Sequence, residues 1–227
     1  MREITFPLPR TKEVPVRTPY LALLIIIGAS KCLAQDYGTL STEQQMAAAV
    51  LPLPAVLQNQ ASVILFDKHG TPVIARKGTN DMNCMLFPSS TEFDARCYHS
   101  SFLPMFLRGR ELGNSGMQPK DVAKTIDNEV QQKKLNLPDH PTAGYRMLGP
   151  ISAYDQKTNT AGDAIRSWQS IHFPYKTAQE IGLPVQGEVP RTIPYVMASG
   201  TYWSHVMIEH SPTEQTEARD GNTTPRH

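Results

Sequence analysis

The chain has 227 residues, 40% of them apolar and 19% charged, ordinary globular usage that permits one buried core and excludes disorder of the whole. Its formal charge is +1, but five of the 22 Lys/Arg (Arg2, Arg10, Lys12, Arg17, Lys31) and two of the 21 Asp/Glu (Glu3, Glu13) fall in residues 1–34, which leaves 17 against 19, or −2, for the remainder. Bulk charge therefore gives no argument for nucleic acid or an anionic membrane as partner, and no nucleic-acid partner is expected.

In chain order, the first feature is a secretory pattern. Basic residues precede the apolar run Leu21 to Ala29, and small residues follow at Cys32 and Ala34 before Gln35. The run holds only about ten residues, half of the roughly twenty that a bilayer core requires, and Lys31 blocks its extension. The expectation is a signal peptide over 1–34, cleaved after Ala34, with no transmembrane segment afterwards and a secreted or periplasmic product. A lipoprotein reading would use Cys32, but Lys31 stands where a small residue is required. Removal of Cys32 leaves Cys84 and Cys97 in an oxidising compartment, where two thiols form a disulfide. Closing so short a loop contributes roughly 3 kcal/mol in the chain-entropy account. A redox-active pair is disfavoured because the spacing is not C-x-x-C.

Residues 35–60 read as an N-terminal arm, with a helix over Thr42 to Val50, capped by Ser41 or Thr42 and stopped by Pro52 and Pro54. A single domain follows over 61–210. Ser62 to Phe66 and Thr71 to Ala75 flank the turn signal Asp67-Lys68-His69-Gly70 and predict a hairpin. Cys84 to Phe87 predicts a third strand, and the residues between Phe87 and Cys97 read as a polar loop. Pro104 and Pro119 open two helices, the first ending near Gly113, the second carrying Val122, Ile126 and Val130 at four-residue intervals and closed by Lys133 and Lys134. Strands are then predicted at Tyr145 to Leu148, Ile151 to Tyr154 and Ile165 to Phe173. A capping box at Thr177-Ala178-Gln179-Glu180 with Gly182 behind it predicts a helical turn, and a last hairpin is expected about Ser199-Gly200. Residues 211–227 form a polar tail, expected to be disordered. The order of elements argues for α+β, with a mainly antiparallel sheet and a helical hairpin inserted between strands.

No phosphate-binding loop, dinucleotide fingerprint, nucleophile elbow or zincin motif is present. His205, Glu209 and His210 miss the inverted zincin spacing by one residue, and a strand would turn the two histidines to opposite faces, so neither a metal nor a cofactor is expected. His99 and His172 each stand among aromatic residues that can wall a pocket. Arg76 and Lys77 beside Gly78-Thr79-Asn80 raise an anion site, with Arg76 and Asn80 as candidate ligands and turn N–H groups as donors; the plainer reading is a solvated turn with Arg76 paired to an acid.

The stretches Arg76 to Asn80 with Cys84, Tyr145 to Leu148, and Pro174-Tyr175 to Ile181-Gly182 resemble an uncharacterised group of small secreted bacterial proteins. That resemblance implies an exported bacterial protein and brings no activity with it. Two functions of different class follow. One is an exported, non-enzymatic binding or envelope-associated domain with Arg76, Asn80, His99 and His172 about its ligand. The other is a small hydrolase-like enzyme that uses His99 or His172 with Asp94 as orienting carboxylate and the Arg76 turn for an anionic substrate.

Overall fold

The computed structural model describes residues 40–87 and 89–209. The expected signal peptide over 1–34 with Cys32, and the expected disordered tail over 211–227, lie outside the described residues.

The first described element is helix α1 (Thr42–Ala49). Ser41 Oγ accepts from the Gln44 N–H at 3.2 Å and Gln44 Oε1 accepts from the Ser41 N–H at 2.9 Å, a capping box that satisfies two donors otherwise orphaned at a helix start. Ala48 and Ala49 are fully buried against the sheet, since alanine lets a helix backbone approach a strand surface closely. One turn of helix, α2 (Ala55–Gln58), follows.

Strands β1 (Ser62–Phe66) and β2 (Pro72–Arg76) form the expected antiparallel hairpin, whose turn is closed by Asp67 Oδ1 accepting from the His69 and Thr71 N–H groups at 2.8 and 2.9 Å. Strand β3 (Met82–Leu86) then crosses to the other flank of β1 and pairs with it in parallel. This crossover explains the stretch 76–80. Arg76 donates to the carbonyls of Gln58 and Ala61 at 2.7 and 3.1 Å, Gly78 N–H donates to Ser62 Oγ, and the N–H groups of Thr79 and Asn80 both donate to the Gln60 carbonyl. A Cβ on Gly78 would lie 2.3 Å from both Gln60 O and Ser62 N, so only glycine fits where the crossing chain passes over the start of β1.

Residues expected as a polar loop are strand β4 (Glu92–His99). Phe93, Ala95 and Cys97 enter one core while Asp94, Arg96 and Tyr98 alternate to the other face. Cys84 and Cys97 stand directly opposite each other on β3 and β4, at disulfide distance and fully buried. Replacing both by alanine is expected to lower stability in urea unfolding by about 2–3 kcal/mol, within the range for short closed loops. Non-reducing peptide mapping is expected to recover the two linked, and free thiols at both would overturn the pairing.

Helices α3 (Leu103–Asn114) and α4 (Pro119–Gln131) form the expected helical hairpin, burying Met105, Phe106 and Leu112 from the first and Val122 and Ile126 from the second. Arg108 ties them, donating Nη2 to Glu129 at 2.6 Å and Nη1 to Glu111 at 2.8 Å. Strand β5 (Thr142–Pro150) extends at both ends the strand expected at Tyr145 to Leu148, whereas the residues expected as a strand at Ile151 to Tyr154 are mostly a 3-10 turn. A 3-10 turn (Ile151–Ala153) and the small hairpin of β6 (Tyr154–Asp155) and β7 (Thr160–Ala161) take up the rest. After β8 (Arg166–His172), the predicted turn is helix α5 (Ala178–Ile181), with Thr177 and Glu180 in a capping box and Gly182 behind it. Strands β9 (Tyr195–Met197) and β10 (His205–Glu209) pair antiparallel as expected, joined by residues 198–204 rather than by a two-residue turn.

Eight strands make one α+β sheet in the order β2-β1-β3-β4-β5-β8-β10-β9, with β1/β3 its parallel pair. One face packs α1, Phe93, Met147, Tyr154 and Ile165. The other packs α3 and α4 over β1, β3 and β4 through Met85, Phe87, Tyr98, Phe102 and Phe106. The β5, β8, β10 and β9 side of that second face carries the cleft described next.

Candidate functional site

The strand registers arrange the side chains of this face in rows. In one row Tyr98, Gly144, Ser170, Met207 and Tyr195 are successive cross-strand partners. Two residues along each strand, about 6.7 Å away, lie Arg96, Arg146, Trp168 and Glu209, and beyond them Arg166. Two residues the other way lie His172, His205 and Met197. A cavity of about 340 Å³ runs over all three rows, with Arg191, Gln186 and Trp203 joining its wall. It therefore has a basic end and an imidazole–thioether end.

The basic end is organised by one carboxylate. Asp94 Oδ1 accepts from Nε of Arg96 and of Arg146, both at 2.9 Å, and Oδ2 accepts from their Nη2 groups at 2.6 and 3.0 Å. Burial opposes the charge on Asp94, but the hydrogen bonds from the two guanidiniums outweigh it and hold the carboxyl below its usual range. Arg96 lies over the Phe87 ring at 4.9 Å, and Arg146 and Arg166 lie over Trp168 at 5.2 and 5.8 Å. Glu209 accepts from Arg166 and from Tyr195 Oη at 2.7 Å, with Arg191 at 3.9 Å. Burial, followed by that bond to Glu209, pushes the Tyr195 phenol up to about 12.

At the other end His172 is 1% exposed, with its ring 5.0 Å from that of His205 on one side and 3.8 Å from Phe102 on the other. Burial, and then the neighbouring His205, lowers the His172 pKa well below its ordinary value; burial lowers that of His205 as well. Both shifts favour the neutral ring. Nδ1 of His205 donates to the Trp203 carbonyl at 2.7 Å. His172 Nε2 is 3.0 Å from Ser170 Oγ, and its Nδ1 is buried without a partner. This hydroxyl–imidazole pair lies over Gly144, whose Cβ, if present, would stand 2.5 Å from Ser170 Oγ and 3.0 Å from His172 Nε2.

Of the four ligand candidates taken from the sequence, His172 alone lines this cleft. Arg76 and Asn80 serve the crossover: Asn80 Nδ2 donates to the Leu57 carbonyl at 3.0 Å and its Oδ1 accepts from Met82 N–H. The N–H groups of 78, 79 and 80 are spent inside the fold rather than turned toward an anion. His99 pairs through Nδ1 with Ser101 Oγ at 2.8 Å at the approach to α3. The arrangement of Asp94 orienting a histidine does not form, because both its oxygens serve arginines and the partners of His99 and His172 are serines. Sequence reading passed over Arg96, Arg146, Arg166 and Trp168, whose signal was alternation: Arg166-x-Trp168-x-Ser170-x-His172 places four polar or aromatic side chains on one strand face.

A second cavity, of about 600 Å³, lies between the β1–β2 turn and α3 and is lined by Phe66, Pro72, Leu107 and Leu135 among others. Of its charged groups, Arg108 and Glu111 are paired to each other, and Arg110 lies over the Phe66 ring at 4.4 Å. Among the described residues no three His, Cys, Asp or Glu side chains converge on one point. In comparison with known proteins, no family model, no curated protein and no solved structure matches this chain.

Proposed function

We propose that the protein is an exported binding domain that holds a small organic anion at the basic end of this cleft. The carrying observation is the charge on one aromatic-walled face: Arg96, Arg146, Arg166 and Arg191 stand against Asp94 and Glu209, an excess of two positive charges. Trp168, stacked by Arg146 and Arg166, holds two guanidiniums side by side, and the guanidinium geometry suits carboxylate or phosphate. Export is supported by the basic–apolar–small pattern of residues 1–34 and by Cys84 and Cys97 at disulfide distance.

The test is isothermal titration with benzoate, succinate and inorganic phosphate at low ionic strength. At least one is expected to bind, with affinity falling as salt is added. Arg146→Gln is expected to weaken it about 10- to 100-fold, the range for a hydrogen bond to a charged group. Lys77→Gln, an exposed change in the 76–80 turn, is expected to leave it unaltered. Absence of binding by all three probes, or equal binding by Arg146→Gln and the parent, would overturn the assignment.

A further inference from the structure

We propose that the second cavity, between the β1–β2 turn and α3, is a binding site for a monocarboxylate with an apolar chain, its charge held by Arg110 and its chain by Phe66, Leu107 and Leu135. At about 600 Å³ the cavity has the size that small organic ligands occupy. Phe66, Leu107 and Leu135 pack against the core under α3 and α4 yet stay only half-buried, and all three line this cavity. Apolar surface is thus left there for a ligand to cover.

Arg110 is the unmet charge. Every other arginine among the described residues has a carboxylate or backbone carbonyl as partner. Arg110 has neither hydrogen bond nor ion pair among them, and its Nε is buried without an acceptor. Its guanidinium lies 4.4 Å from the Phe66 centroid and 4.5 Å from that of Phe87, contacts that steady the cation but give its N–H groups no acceptor.

The neighbouring charges leave room for one anion. Arg96 lies over the same Phe87 ring at 4.9 Å, and the nearby carboxylate, Asp94, is already divided between Arg96 and Arg146. Burial, followed by Arg96, lowers the Arg110 pKa, the direction expected of a cation short of a counterion. Glu111 does not supply it, being paired with Arg108, which also holds Glu129. A carboxylate matches the guanidinium fork and brings the single negative charge that is missing. A doubly charged phosphate would leave charge uncompensated against apolar walls.

The experiment titrates the full chain calorimetrically with butanoate, hexanoate and octanoate at low ionic strength. Octanoate is expected to bind at one site, with affinity rising about three- to fourfold for each added methylene. Octan-1-ol, which keeps the chain and lacks the charge, is expected to bind about 10- to 100-fold more weakly, and Arg110→Gln to weaken octanoate by a similar factor. Arg166→Gln, in the first cleft, is expected to leave octanoate binding unaltered, so that this site and the anion site of that cleft stand or fall separately. Nuclear Overhauser contacts from the octanoate chain to the Leu107 and Leu135 methyls are expected in the unsubstituted protein, a readout that does not depend on any variant folding. Failure of octanoate to bind, affinity independent of chain length, equal binding by octan-1-ol, octanoate binding unchanged in Arg110→Gln or lost in Arg166→Gln, or absence of contacts to those methyls would each overturn the proposal.

Discussion

Asp94→Asn is expected to destabilise the protein by about 3–5 kcal/mol, the cost of removing one partner from a buried ion pair. Asp94 is 11% exposed at its side chain, and it faces Arg96 and Arg146, which are 24% and 26% exposed. The amide keeps one acceptor and adds two donors where two guanidiniums already donate, so the positive charges lose their counterion and meet N–H groups. Solvent reaching the quarter-exposed arginines places the effect toward the lower figure. Urea unfolding measures it, and a loss under about 1 kcal/mol would show that the cluster does not hold the sheet together. The double variant Asp94→Asn with Arg146→Gln is expected to recover part of the loss, since one uncompensated charge has gone. The pH dependence has a definite sign. The folded carboxyl titrates below the unfolded value of 3.8, so its stabilisation is fully present above that value and is lost as pH falls through the folded one.

Gly78→Ala is expected to cost about 4 kcal/mol, from overpacking of up to about 3 and the loss of one hydrogen bond of roughly 1. The new Cβ would stand 2.3 Å from Gln60 O and Ser62 N, which are backbone atoms and cannot rotate away. Relief requires lifting Gly78 off the start of β1, which pulls its N–H from Ser62 Oγ. For a domain of this size that corresponds to a fall in Tm of roughly 8–16 °C, measurable by calorimetry. A fall under about 3 °C would mean that the crossover tolerates a side chain. Because Gly78 is remote in the sheet order from β8, β10 and β9, binding at the cleft is expected to survive in whatever fraction stays folded.

Features made by neighbours in the chain were legible without coordinates. The Asp67 to Gly70 turn, the cap of α1 at Ser41 and the capping box at Thr177 depend on side chains reaching backbone two to four residues away, and helices α3 and α4 open on a proline in the first turn. The pairing of Cys84 with Cys97 followed from counting, though not its position across β3 and β4. Strand β4 was missed for an electrostatic reason. Glu92, Asp94 and Arg96 look like loop composition until Arg146, 52 residues from Asp94, completes the neutralisation that lets such a strand lie inside a sheet. The strand expected at Ile151 to Tyr154 gives way to a 3-10 turn because the pairing of β5 with β4 ends at Pro150 opposite Glu92, the first residue of β4.

The candidate site moved for the same kind of reason. The 76–80 stretch has the composition of an anion-binding turn, but its donors are spent on Gln58, Gln60, Ala61 and Ser62 because β3 crosses to the far side of β1. The cleft is made by register, which brings Arg96, Arg146, Trp168 and Glu209 into one row and His172, His205 and Met197 into another. By itself, the sequence determined helices α1, α3, α4 and α5, the first hairpin and the α+β class, because these rest on periodicity, caps and turns within a few residues. Only the tertiary structure decided which strand lies beside which, where each arginine finds its carboxylate, and hence where the cleft is, because alternation along a strand assigns a face and pairing between distant strands assigns the neighbours.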